Sequence, residues 1–412
     1  MDSVAQPSVE HHAFFVALAN LSRTDDEWAE TEAGLVTMRL VDEWAATGGR
    51  GLDARDPAVL AVSRAVHAIR AGSVHRAMLD GLLGALLPSE DGGERQVLAS
   101  RLAAYARALQ FDARWDRAAD VYRSIIRHVW VTDAAESVAD AHVQLGGCLR
   151  TLGLPGEALE AYQAAAWIAR DQAMPAMAVR AMIGEANVAL QRGNLPAAEA
   201  QLDRAIADAV AAGDDNVLAM ALHDRAHVAH RRGQSERAVT LGYDALGLYT
   251  EPTKRDRALG DVASFLGEIG LRDAARDGYL VIAATAQEQY LRWVATINLL
   301  ELSVHDRQEE AFDGYRSQLE SESLPPELAA YFHLYASRGF RAFGRSGLAE
   351  EASDRAVDVA AANGINEVLA LAESHRPAGE PAAGSVAHDT PGIAVVISGL
   401  RELRESVAGA RP

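Results

Sequence analysis

Eight alanines recur along this chain at nearly constant intervals: Ala77, Ala118, Ala158, Ala198, Ala238, Ala275, Ala311 and Ala349, spaced 41, 40, 40, 40, 37, 36 and 38 residues apart. An interval that regular, carried over more than half of 412 residues, identifies an array of one stacked supersecondary unit. The surroundings repeat with it. Five residues before each alanine stands Gly72, Ala113, Gly153, Gly193, Gly233, Gly270, Asp306 or Gly344. Twelve residues before it the residue is small throughout (Ala65, Ala106, Gly146, Ala186, Ala226, Ala263, Ser337) except at Leu299. Four residues after it, Tyr122, Tyr162, Tyr279 and Tyr315 take half of the positions.

Paired helices account for each element of this pattern. Glycine supplies the left-handed conformation that ends one helix and lets the chain turn back. A small residue in the first helix and an alanine in the second let two backbones approach closely. The tyrosine, one turn further on, fills the wedge between successive pairs. One pair alone leaves an apolar face uncovered, so stability needs neighbours. The chain therefore reads as all-α, an α-solenoid of about eight antiparallel helix pairs.

Leu145-Gly146, Leu149, Gly153, Ala158, Tyr162 and Ala165 together resemble a tetratricopeptide repeat, whose signature sets a Leu-Gly pair, an alanine and an aromatic residue at fixed offsets. The resemblance spans residues 58–365, and units seven and eight depart from it most. Its units are longer than the usual ~34 residues, which is similar to kinesin light chains and to peptide-sensing regulators of Gram-positive bacteria. The resemblance implies a right-handed superhelix whose first helices line a concave face that holds a protein or peptide.

Composition narrows the function. With 39 basic against 58 acidic residues the formal charge is −19, which argues against direct nucleic-acid binding and against an anionic-membrane binder. No stretch reaches about 18 uninterrupted apolar residues, and Met1–Glu10 carries no basic residue, so no membrane span or targeting segment is expected. A single cysteine, Cys148, excludes an internal disulfide framework and fits a reducing, cytoplasmic setting; beside Gly146 and Gly147 it reads as a packed, inert thiol.

Residues 1–57 read as an N-terminal helical cap. Thr24-Asp25-Asp26-Glu27 opens a helix in which Trp28, Leu35, Met38, Val41 and Trp44 keep helical spacing up to Gly48-Gly49. The solenoid follows over 58–375, with a loop at Pro88–Gly93 and a break at Pro325-Pro326 before unit eight. Residues 376–392 are rich in Pro, Ala and Gly and read as a flexible linker. Residues 393–412 form a short amphipathic helix, with Ile393, Val396, Ile397, Leu400, Leu403 and Val407 on one face. That helix is read as a terminal cap, a self-ligand in the groove or a homodimer contact.

Carried over position by position, the resemblance places Arg107, Gln110, Phe111, Gln144, Arg150, Arg180, Asn187, His223, His227, His230 and Arg231 in the groove. Later units add Arg257, Asp261, Glu268 and Trp293, then Tyr331, Arg338 and Arg341. Seven of these are arginines, which grip carboxylates bidentately, so an acidic or extended segment is the implied ligand. His223, His227 and His230 recur at i, i+4 and i+7 on one helical face, and His223-Asp224 with His227 approximates the H-E-x-x-H pattern of zinc peptidases. A metal there would need a third ligand, which His230 supplies only across two helical turns. No P-loop, dinucleotide fingerprint or nucleophile elbow occurs. The reading is a non-enzymatic scaffold or adaptor without a cofactor. The alternatives are a peptide-responsive regulator and a metal-dependent hydrolase on the His223–His230 face.

Overall fold

The computed structural model describes residues 10–88, 94–373 and 391–409, and every regular element among them is a helix. No described helix is long and apolar enough to cross a membrane. The chain forms two compact units, Met1–Val217 and Leu218–Pro412. The first contains α1 (His12–Asn20), α2 (Asp26–Ala46) and four pairs: α3/α4 (Pro57–Ala68, Val74–Ala85), α5/α6 (Glu94–Phe111, Trp115–His128), α7/α8 (Val131–Thr151, Pro155–Asp171) and α9/α10 (Pro175–Gln191, Leu195–Ala212). The second contains α11 (Asp215–Arg231) from Leu218 onward, with its partner α12 (Ser235–Leu248). It continues through α13/α14 (Pro252–Glu268, Arg272–Thr285), α15/α16 (Gln289–His305, Glu309–Glu320) and α17/α18 (Pro326–Ala342, Ser346–Asn363), then α19 (Asn366–Glu373) and α20 (Pro391–Gly409). Within each unit successive helices pack on one another, and first helices also touch across pairs, as α5 on α7, α7 on α9 and α13 on α15 do. That is solenoid packing.

The repeated positions do what their chemistry requires. Gly72, Gly153, Gly193, Gly233, Gly270 and Gly344 all sit at φ between 73° and 94°, the left-handed turn between the helices of a pair. Ala113 takes the same conformation at φ 57° without being glycine. Ala118, Ala158, Ala198, Ala238, Ala275 and Ala349 are buried at helix contacts, whereas Ala77 in the first pair is exposed. The Tyr162 ring lies between Gly146 of α7 and Gly184 of α9, and a Cβ on either glycine would collide with it. One tyrosine thus fills the space that two successive first helices leave open.

The seventh unit is shifted by one residue from the sequence expectation. Its left-handed turn residue is Arg307 (φ 56°), while Asp306 has an ordinary φ of −88°. The position equivalent to the alanines is consequently Phe312, fully buried, and not Ala311, which is half-buried. Both flanking intervals then become 37 residues. A phenylalanine fits at an alanine position because Gly339 on α17 has no side chain; a Cβ there would overlap the Phe312 ring.

Both ends are held by polar contacts as well as apolar ones. In α2, Leu35, Met38, Val41 and Trp44 are buried. Its first turn serves as more than a cap: Glu30 accepts from Arg114 (2.8 Å), and buried Arg117 donates to Thr31 (2.7 Å) and Glu27 (2.8 Å). Buried His11, at the start of α1, bridges Asp120 (3.0 Å) and Asp42 (2.9 Å). Burial opposes its protonation, but the two carboxylates outweigh burial and push its pKa up to about 9. At the other end α20 packs on α12 and α14, burying Ile393, Val396 and Leu400, and Arg404 donates to Asp277 at 2.7 Å. The self-contact of this helix is therefore with second helices. Residues 89–93 of the expected loop and 376–390 of the expected linker lie outside the described residues.

Candidate functional site

A cleft of about 530 Å³ opens in the second unit where α11, α13, α14 and α15 meet. α11 contributes His223 and His227, and α13 contributes Asp256, Arg257, Gly260, Asp261 and Ser264. Tyr279 and Ile282 of α14, with Tyr290, Leu291, Val294, Ala295 and Asn298 of α15, form the remaining, mostly apolar walls. No residue of α20 lines the cleft.

Its polar centre follows from helix geometry. His223 and His227 are one turn apart on α11, so their rings stack with centroids 5.1 Å apart. Both direct Nε2 at the same oxygen of Asp261 on the neighbouring first helix, at 2.7 Å and 3.2 Å. The Nδ1 of His223 lies 3.4 Å from the Tyr249 hydroxyl, and the His227 ring packs edge-on against Phe265. For Asp261, burial disfavours the carboxylate, but the two imidazoles outweigh it and hold its pKa well below the usual range. For His227, burial likewise opposes protonation, yet the hydrogen bond and charge of Asp261 prevail and raise its pKa. At the rim, exposed Arg257 pairs with Glu288 at 3.3 Å.

His230 is not part of this centre. It pairs with Glu268 at 3.2 Å and stacks on Phe265 at 4.7 Å. The group that joins His223 and His227 is Asp261, 38 residues from His223, about one repeat further along.

No protein-family model matches the sequence, and no curated protein resembles it closely enough to be a relative. Solved structures do resemble it. The apo form of the quorum sensor NprR from B. thuringiensis superposes with a TM-score of 0.50 at 13% identity, over 85% of this chain and 92% of that one. The fold is a tetratricopeptide-type helical-repeat solenoid. The Rap conjugation gene regulator of plasmid pLS20, in complex with the Phr* peptide, matches at TM-score 0.49 and 12% identity over 84% of this chain and 98% of its own. BtubC (BKLC) from P. vanneervenii matches at 0.40 and 13% over 49% of this chain and 85% of its own.

In this solenoid the residues expected in the groove divide into two groups. In the first unit, Arg107, Gln110, Gln144, Arg150, Arg180 and Asn187 lie on the successive first helices α5, α7 and α9. Gln110 is engaged internally, accepting from the Tyr122 hydroxyl (2.8 Å) and donating to Cys148 Sγ (3.3 Å). Arg180 is bound to Asp140 at 2.7 Å, and the Gln144 amide leans on the same carboxylate at 3.5 Å. Arg150 and Asn187 are half-buried, Arg107 is exposed, and Phe111 is 83% exposed. In the second unit, Arg231 ends α11 and is exposed, and Arg338 pairs with Glu301 at 3.6 Å.

The pairs Asp140–Arg180, His223–Asp261, His230–Glu268 and Glu301–Arg338 each span about one repeat. They tie adjacent first helices together. Three of the seven arginines expected in the groove, Arg180, Arg257 and Arg338, hold carboxylates of this chain. Cys148 is buried, and burial pushes its thiol up to about 11, the packed and inert state expected of it.

Proposed function

We propose that this protein is a non-enzymatic peptide-binding module that anchors an extended, acid-bearing segment in the α11–α15 cleft and along the first helices. The observation that carries this reading is the make-up of the cleft. Apolar walls from Tyr279, Ile282, Leu291 and Val294 surround a few convergent polar groups, the composition of a site that fixes a ligand's orientation as well as its affinity. Its volume of about 530 Å³ takes only a part of an extended segment, so the rest runs over the neighbouring first helices. His227 and Arg257 can exchange Asp261 and Glu288 for a ligand carboxylate, and the Asn298 amide can pair with a peptide backbone. Support comes also from the likeness in fold to NprR, a quorum sensor.

One feature favours a ligand-responsive regulator over a static scaffold. Asp261 links α11 and α13 beside the His230–Glu268 pair. A ligand carboxylate that takes over His227 loosens that link, so binding and repeat-to-repeat geometry are coupled. The test is native mass spectrometry of the full chain isolated from its own cells. A peptide-sized added mass that is lost in Leu291→Arg, with helicity intact, is the expected result. An added mass that survives Leu291→Arg removes the cleft from the reading, and bare chain throughout removes the reading itself.

A further inference from the structure

The geometry points to a divalent-cation site formed by His223 Nε2, His227 Nε2 and Asp261 Oδ2, with its open coordination position facing the cleft. The three donor atoms lie within 4.8 Å of one another. First-row ions bind imidazole nitrogen and carboxylate oxygen at about 2.0–2.2 Å, so tetrahedral ligands stand roughly 3.4 Å apart. The His223–Asp261 and His227–Asp261 separations of 2.7 Å and 3.2 Å reach that spacing by side-chain shifts of under an ångström. The site is also reachable: the His227 and Asp261 side chains are 37% and 36% exposed, while His223 at 14% forms the inner wall.

Surrounding groups suit coordination. A histidine ligand is oriented by what its other nitrogen meets; for His223 that is the Tyr249 hydroxyl on Nδ1, which leaves Nε2 aimed at the site. Phe265 fixes the His227 ring from its side. Two imidazoles and one carboxylate form a borderline donor set that selects Zn²⁺ or Co²⁺ over Mg²⁺ and Ca²⁺, which prefer all-oxygen shells. The ion bridges α11 and α13 in place of the His–Asp hydrogen bonds. Its remaining positions accept a carboxylate or carbonyl oxygen from whatever enters the cleft. The site is set by Asp261 and leaves His230 outside, and it stands independently of the peptide reading.

The experiment is a Zn²⁺ titration of the tag-free full chain by calorimetry, with Co²⁺ absorption as a second readout. One Zn²⁺ per chain at micromolar Kd or tighter is expected, with visible Co²⁺ bands of tetrahedral intensity. His227→Ala and the near-isosteric Asp261→Asn each weaken binding at least tenfold with unchanged circular dichroism, and His230→Ala leaves it unaltered. Absence of binding at 100 µM Zn²⁺, or binding that both His227→Ala and Asp261→Asn retain, overturns the site. Peptide capture measured in chelator is a separate readout, so failure of one proposal is distinguishable from failure of the other.

Discussion

The exchange of Phe312 for alanine and of Gly339 for a larger residue can be measured as a thermodynamic cycle. Phe312 is fully buried and its ring occupies the space over Gly339. Phe312→Ala removes that ring from the core, a change that costs about 3–5 kcal/mol. Gly339→Ala places a methyl group inside the ring, and overpacking of this kind costs roughly 1–3 kcal/mol, partly offset by the ~1 kcal/mol that alanine gains over glycine within a helix. In the double variant the collision is gone, the methyl fills part of the cavity and the helix-propensity gain remains. Its cost therefore falls to roughly 2–4 kcal/mol, a favourable coupling of about 2 kcal/mol between the two sites. The assay is hydrogen exchange across peptides of α15, α16 and α17 at graded urea, because stacked pairs need not unfold together and a whole-chain midpoint would blur the effect. Strict additivity of the two costs would refute the argument. So would an Ala311→Leu variant as damaging as Phe312→Ala, since that would restore the alanine register.

Gly184→Ala drives a methyl into the Tyr162 ring and costs roughly 1–3 kcal/mol, while Gly314→Ala, in open space on α16, stabilises by up to ~1 kcal/mol; urea melts of both variants check the contrast. His11→Ala tests the N-terminal network by its pH dependence. The folded pKa of His11, about 9, lies above its unfolded value of about 6.5, so the stabilisation that comes from its charge is complete below pH ~6.5 and is lost as pH rises through 9. Asp42 is shifted the other way, burial being outweighed by His11 and His128, so the same contact is lost as pH falls into the acid range. The gap between the melts of wild type and variant should be widest near pH 5–6.5 and narrow as pH rises through 9, leaving the pH-independent cost of the vacated space; a gap that does not change with pH contradicts this. The Cys148 thiol should react with an aromatic disulfide reagent only at the rate of local opening, and stoichiometric reaction within seconds in the native state would show that it is exposed.

The repeat was legible because its chemistry is steric and local. Six glycines in left-handed turns and buried alanines at close contacts can be read from spacing alone, as can the tyrosine that separates two first helices. The seventh unit hides its register by one residue because its left-handed turn carries an arginine in place of glycine. Arg307 adopts the left-handed turn that Asp306 does not, and a phenylalanine then stands where an alanine is sought. The candidate centre was half legible. His223 and His227 declare themselves as neighbours on one helical face, but their partner comes from another helix. The signal that identifies Asp261 was present in its offset of one repeat from His223, the same relation that couples Asp140 to Arg180. Helical spacing points to His230 as a third ligand, whereas the repeat period points to Asp261. The same period pairs two of the arginines expected in the groove, Arg180 and Arg338, with carboxylates of the neighbouring first helix.

The position of α20 bears on how load passes through the second unit. A stack in which each pair grips only its neighbours bends like a chain of springs, and the weakest joint takes most of the strain. By lying across α12 and α14, α20 acts as a splint over the joint between the α11/α12 and α13/α14 pairs, the same joint whose first helices carry His223, His227 and Asp261. That joint is fastened from both of its sides, so a ligand that loosens the α11–α13 link acts at a point where the second helices are still clamped together.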